Sequence, residues 1–260
     1  MPIHPTAIVD SSAEVDSSAS IGPYAVIGPR VIIGPDVDIR GHAHIDKDTE
    51  IGRGTRIFQF ASVGADPQDL KYQGEQTRLV IGEKVTIRES TTIHRGTAGG
   101  GGVTEIGDGS LIMATVHVAH DCRIGTGVIL SSYAVLAGHV SIGEGAIIGG
   151  LSAIHQFGRV GQHAFVGGGS GLTKDWPPYI AGASNGSRDV VLAGPNVVGL
   201  KRRNMPLETV KTLKGVFEVI CRNRRPLAEV LAEAEEKYGR VPEAREIIEF
   251  YRSSERGVYR

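Results

Sequence analysis

The chain has 260 residues, 36 of them glycine, with aromatic residues at only 5% and a formal net charge of −1. That length suits one repetitive domain with a small appendage, and so few large rings exclude a conventional aromatic-filled core. The near-neutral charge excludes a general electrostatic attraction to nucleic acid or anionic membrane. Cys122 and Cys221 stand far apart without a CxxC partner, so reduced thiols are expected rather than a disulfide. Met1-Pro-Ile-His-Pro-Thr has no basic segment followed by an apolar run, and no stretch of ~18 apolar residues occurs. A soluble, cytoplasmic protein without stable membrane insertion is therefore expected.

From the first residues onward, aliphatic side chains recur every six positions: Ile3, Val9, Val15, Ile21, Ile27, Ile33, Ile39, Ile45, Ile51, Ile57 and Val63. The phase resumes at Ile81, Ile87 and Ile93 and slips by one residue across a glycine-rich segment. It then runs from Ile106 through Ile112, Val118, Ile124, Leu130, Leu136, Ile142, Ile148, Ile154, Val160 and Val166 to Leu172. A period of six fits neither a helix nor a simple half-buried strand, and it is the signature of a parallel β-helix. Three hexapeptides make one triangular coil, so each inward aliphatic stacks on its counterpart 18 residues later, at the ~4.8 Å spacing of neighbouring strands. The glycine that follows many of them, as in Ile21-Gly22 and Ile51-Gly52, is expected to make the corner because it tolerates φ > 0.

Two segments break the repeat. Ala65 to Arg78 replaces two hexapeptides with polar, turn-prone residues yet leaves Ile81 in register with Val63, which predicts a projecting loop able to bring Asp69, Lys71 and Gln73 to a ligand. Thr97-Ala-Gly-Gly-Gly-Gly-Val-Thr104 invites a phosphate-loop reading but lacks the Gly-Lys-Ser/Thr ending and a following helix, so a flexible loop is expected. After Leu172 the pattern dissolves through Trp176-Pro-Pro-Tyr179 into an irregular stretch to about Asn196. From Leu207 the spacing turns helical, with Val210, Leu213, Phe217 and Ile220 on one stripe, and two more helices are predicted to open near Pro226 and Pro242. The predicted organisation is a β-helix over 1–190, with loops at 65–78 and 97–104, and a C-terminal helical domain over 191–260.

Lys201 to Arg225 holds eight basic and two acidic residues, which reads either as a solvated face or as a surface for an acidic partner. Nucleic acid is not expected there, because the stretch lacks a reading motif and interleaved aromatics.

The 18-residue coil also overlays the chemistry-bearing residues. His120, Gly138 and Gln156 fall on one edge of the prism, His139 falls over Asp121, and His155 precedes Gln156. With His117, the patch spans about three coils, on the order of 10 Å along the axis. Neutral imidazole accepts a proton at cellular pH, a neighbouring carboxylate orients it, and a backbone N–H at a glycine can face a developing oxyanion. The same histidines could instead hold Zn²⁺ with a bound water, as in β-helical carbonic anhydrases.

The segments Gln68-Asp-Leu-Lys-Tyr72, Ile93-His-Arg-Gly-Thr97, His117-Val-Ala-His-Asp-Cys122, Leu136-Ala-Gly-His139, Ile154-His-Gln-Phe157 and Gly199-Leu-Lys-Arg-Arg203 closely resemble the acyl carrier protein–UDP-N-acetylglucosamine O-acyltransferase family of lipid A biosynthesis. The resemblance runs in order over essentially the whole chain. It implies an all-β left-handed parallel β-helix followed by a small C-terminal α-helical domain, and a homotrimer with active sites between subunits. It further implies that His120 is the general base for the sugar 3-hydroxyl, that Asp121 orients it, and that the Gly138 N–H stabilises the oxyanion. His117, His139, His155 and Gln156 would position the sugar and acyl chain, and Asp69 and Lys71 the glucosamine and phosphate end. Asn196, Arg202 and Arg203 would meet the uridine diphosphate. Lys211, Lys214, Arg222, Arg224 and Arg225 would suit an acidic acyl carrier protein, whose phosphopantetheine arm presents the acyl group. No metal or redox cofactor is implied. Gly168 would end the acyl groove, and Phe165 could block it.

Two departures from the family pattern leave the acceptor open. Val198 stands where the family often has an acidic residue, and Ser184 to Pro195 aligns poorly, with Gly186 where a histidine is often found. The acceptor is then either the ordinary sugar nucleotide or its 3-amino analogue. The related N-acyltransferase of the pathway carries an extra N-terminal domain, whereas here repeats begin at Ile3. A non-catalytic β-helical binding module would need neither the histidine patch nor the basic helices.

Overall fold

The computed structural model describes residues 3–185, 189–222 and 225–260, so Gly186 and Arg224 lie outside the described residues. Most strands of the repeat are two residues long, and every third one pairs in parallel, which builds three sheets around a triangular prism. One column of inward side chains runs Ile27, Ile45, Val63, Ile93, Val118, Leu136 and Ile154, each Cα-paired with the next. All seven are at most 2% exposed. The step from Val63 to Ile93 skips the first insertion and that from Ile93 to Val118 skips the second, so both are extruded without disturbing the stack. Each buried aliphatic contributes roughly 1.5–3 kcal/mol. The architecture is the left-handed parallel β-helix with a helical tail.

The corners differ from expectation. Positive φ falls two residues after the Ile-Gly glycine: Gly22 and Gly34 are not left-handed, whereas Tyr24 is at φ 57 and Asp36 at φ 58. What requires glycine at 22 is the next coil, because a Cβ there would lie 2.5 Å from the Gly41 nitrogen. Backbone stacking between coils, and not corner conformation, selects that residue. Cys122 occupies an inward position with no exposure, and burial pushes its thiol up to about 12, so it is a packing residue and not a nucleophile.

Beyond Leu172, the stretch expected to be irregular contains an antiparallel hairpin, Ile180–Ser184 with Val190–Pro195, whose first strand continues one sheet of the prism beside Phe165–Val166. The fully buried Trp176 seals the last coil and donates from Nε1 to the Ile180 carbonyl at 2.9 Å. Four helices follow instead of three: α1 Val197–Arg202, α2 Leu207–Cys221, α3 Leu227–Tyr238 and α4 Pro242–Arg252. The extra one, α1, is too short to show a periodic stripe and is set by the Asn196 cap, whose side chain accepts from the Gly199 N–H at 3.1 Å. Pro226 caps α3 and Pro242 opens α4, as expected. Among the described residues no helix is long and apolar enough to cross a membrane.

Candidate active site

The corner after the strand His117–Val118 puts His120 and Asp121 side by side, with Asp121 in the left-handed region at φ 59. Their side chains are almost fully buried, and His120 Nδ1 lies 2.7 Å from Asp121 Oδ2. A carboxylate oxygen accepts, so Nδ1 is the donor, and in the neutral ring Nε2 keeps its lone pair. One coil on, Gly138 faces that ring: a Cβ there would sit 2.5 Å from His120 Cε1 and 2.7 Å from Nε2. Only glycine leaves the imidazole its space. Among the described residues no hydrogen bond occupies the Gly138 N–H. Pro23 and Pro35 hold the same corner position elsewhere, because the repeat asks for no donor there. An unpaired backbone donor thus sits on the residue that packs against the His120 ring, and addition to a carbonyl needs a donor and a base on one patch.

The predicted column is present. His139 donates its N–H to the His120 carbonyl at 3.0 Å, and Phe157 to that of Gly138, which sets Gln156 beyond Gly138. His139 stands edge-on to His120 at 5.1 Å, stacks on Phe157 at 4.4 Å, and brings Nε2 to 3.7 Å from Asp121 Oδ2. Burial holds His139 below its ordinary pKa, against the pull of Asp121 and, more weakly, of Asp69 in the projecting loop. Asp69 is half-buried and accepts from the Lys71 N–H at 3.0 Å, while the Lys71 side chain is exposed. His117 Nδ1 and Thr92 Oγ1 are 2.7 Å apart, and burial and His120 lower its pKa. His155 is exposed, with the Arg256 guanidinium 3.0 Å from Nδ1. A groove of about 560 Å³ runs from His155 past Val135, Ala153 and Gly171 to Gly169, on the same sheet as His117. Gly168 adjoins its end. Phe165 belongs to a different sheet and does not line this groove within one chain.

Asn196, Arg202 and Arg203 are not brought to this patch within one chain. Asn196 caps α1 and donates to the His163 carbonyl at 3.0 Å, and Arg203 donates to the Gly145 carbonyl at 2.9 Å. Gly145 and His163 form the corner six residues beyond His139 and Phe157, which is the next edge of the prism. Arg202 is exposed in the last turn of α1.

Solved structures resemble this architecture over its whole length. LpxA from Acinetobacter baumannii is 38% identical, with all of both chains covered and a TM-score of 0.95. The UDP-N-acetylglucosamine O-acyltransferase (LpxA) of Moraxella catarrhalis is 41% identical, again over all of both chains, at TM-score 0.95. The Arabidopsis UDP-N-acetylglucosamine acyltransferase is 31% identical over 99% of this chain and all of its own, at 0.87. This chain belongs to the UDP-N-acetylglucosamine O-acyltransferase family. Residues 175–259 match the family's profile for "Udp N-acetylglucosamine O-acyltransferase; Domain 2", and 104–138 that for the bacterial transferase hexapeptide of six repeats.

In this acyltransferase the metal alternative finds only a partial setting. His120, Asp121 and His139 do offer ligand-type atoms within 4.8 Å of one another. Two ligand atoms on a tetrahedral zinc ion stand roughly 3.3 Å apart, whereas His120 Nδ1 and Asp121 Oδ2 are at 2.7 Å, a hydrogen-bond distance. The Thr97 hydroxyl takes the same oxygen at 2.7 Å. His117 and His155 turn to other partners.

Sequence reasoning missed the residues that build the site from beneath. The glycine-rich segment is not a loose loop: Thr97 bonds Asp121 from both its N–H and its hydroxyl, and Ala98–Gly100 forms a 3-10 turn against the carboxylate. Arg95, with no exposure, binds the Gly64 carbonyl, Asp66 and the Tyr72 hydroxyl, and so roots the projecting loop. His94 packs edge-on to His117 at 4.9 Å, and burial pushes its pKa down to about 4. All three stand in the Ile93-His-Arg-Gly-Thr97 segment. An insertion placed beside candidate catalytic residues was the available signal.

Proposed function

We propose that this chain transfers a 3-hydroxyacyl group from the thioester of acyl carrier protein to the 3-hydroxyl of UDP-N-acetylglucosamine, the first step of lipid A biosynthesis, in the cytoplasm. The observation that carries the reading is the His120–Asp121 pair at 2.7 Å with Gly138 open against its ring. His120 Nε2 takes the proton of the sugar hydroxyl as its oxygen attacks the thioester carbonyl. The Gly138 N–H receives the oxyanion, and collapse expels the phosphopantetheine thiolate, which takes the proton back from His120. His117, His139 and Gln156 position the sugar beside the base, with Asp69 and Lys71 at its phosphate end. His155 and the apolar groove toward Gly168 take the acyl chain.

The working unit is a homotrimer in this reading. Asn196, Arg202 and Arg203 lie one prism edge away from His120, so a neighbouring copy would bring them to the uridine diphosphate. The acyl carrier protein would dock on the basic helices, where Lys211 already pairs with Glu208 at 2.8 Å and Arg225 with Glu233, leaving Lys214 exposed. A second reading, transfer to the 3-amino analogue, rests on Val198, which is 63% exposed two residues from Asn196 and stands where the family pattern often has an acidic residue. Mass spectrometry of products from a panel of hydroxyacyl carrier proteins with both sugar nucleotides tests the proposal. An ester product is expected; an amide formed only with the amino sugar selects the second reading, and no product with either defeats both.

A further inference from the structure

The glycine-rich insertion takes no part in the chemistry above, yet it closes on the buried carboxylate of the site. Asp121 has no side-chain exposure. Thr97 donates to Oδ1 from its backbone N–H at 2.8 Å and to Oδ2 from its hydroxyl at 2.7 Å. On the other side, the Asp121 N–H donates to Thr104 Oγ1 at 2.8 Å, so the two ends of the insertion grip the same residue. The turn between them is drawn shut by the Gly100 and Gly102 N–H groups, which both donate to the Thr97 carbonyl, at 3.0 and 2.8 Å. Gly100 has to lack a Cβ, because one would overlap the Asp121 carboxylate.

Two imidazoles compete for that carboxylate. His120 Nδ1 is 2.7 Å from Oδ2 and His139 Nε2 is 3.7 Å from the same oxygen. A carboxylate free to turn about its last side-chain bond could serve either ring. With one donor on each oxygen, Thr97 fixes the plane of the group, and the plane it fixes favours His120.

We propose that Thr97 is a positioning residue for the acid–base pair, clamping Asp121 so that it orients His120 and leaves Nε2 directed at Gly138. The inference rests on the reading of His120 as the base. Thr97→Val keeps the shape and the backbone donor but removes the hydroxyl. It should lower kcat roughly tenfold while the KM for both substrates stays within about twofold, because positioning of the base is lost and substrate contacts are not. The acidic limb of kcat/KM should move up by about half a pH unit, since a carboxylate with one donor fewer attracts the imidazolium proton more strongly. Thr97→Ser should recover kcat to within about threefold.

A group that acts through Asp121 can do nothing once Asp121 is disabled, so Thr97→Val should cost less than about twofold in an Asp121→Asn background. An equal loss in both backgrounds, or wild-type kcat with an unmoved acidic limb in the single variant, overturns the proposal. If Thr97→Val fails to fold, Gly100→Ala provides the same test by pushing the turn off the carboxylate, and full activity there overturns it. His120→Ala separates the two readings. Retained turnover in that variant removes the base, whereas an inactive His120→Ala beside a neutral Thr97→Val removes the clamp alone.

Discussion

One edge of the prism carries two very different charge pairs. Near the start, Arg30 and Asp48 sit on successive corners and form a bidentate contact at 2.7 and 2.8 Å, with half of the arginine side chain in solvent. Further along the same edge stand Asp121 and His139, with His120 beside them, and here the carboxylate is wholly covered. Both corners share their backbone conformation and their place in the repeat. The difference is that both insertions leave the coil on this edge, between the two pairs, and the second folds over Asp121. A hydrogen bond from Arg30 holds the Asp48 carboxyl below its ordinary range, but water competes for every partner, and such a pair is worth little. Covered from water, the same corner acquires directional chemistry.

The contrast can be broken from its functional end. His120→Ala should reduce kcat by about a thousandfold while the fold persists, read by turnover together with circular dichroism. Gly138→Ala comes next: its Cβ meets the His120 ring, and kcat should drop roughly a hundredfold with little change in melting temperature. Near-wild-type turnover in that variant would mean the ring does not work from its present position.

The covered end should also be sensitive to acid in a way the open end is not. His94 is 4% exposed, and its pKa falls from 6.5 to about 4 on folding. The unfolded chain therefore binds a proton that the folded one refuses, so stability is lost as pH falls from about 6.5 to about 4. The full effect is on the order of 3 kcal/mol. His94→Gln should flatten this part of the pH–stability curve measured by urea unfolding; an unchanged slope would clear His94 of the effect. The smallest change belongs to the open pair. Arg30→Met should cost under about 1 kcal/mol and leave turnover unaltered.

Much of the scaffold could be read directly. A six-residue period with an 18-residue coil placed His120, Gly138 and Gln156 in one column and His139 over Asp121, as the carbonyl contacts between successive corners show. The stripe Val210, Leu213, Phe217 and Ile220 marked α2 correctly. The Ile-Gly pairs were assigned to the right places for the wrong reason, since a period in sequence does not say whether glycine is needed for torsion or for clearance. The hairpin from Ile180 was missed because strands that pair antiparallel at the end of a coil obey no sixfold rule. Thr97 was missed because a glycine-rich run carries no periodic signal at all.

What the sequence determined by itself is the stack: inward aliphatics at a fixed interval can be buried together in one way, and that fixes which residues share an edge. What only the tertiary structure decided is which of those residues are shielded from water. Shielding depends on where insertions of 97–104 and 65–78 come to rest, and their glycine and polar residues find partners, such as the Asp121 carboxylate and the Arg95 guanidinium, only after the coil has put those partners in place.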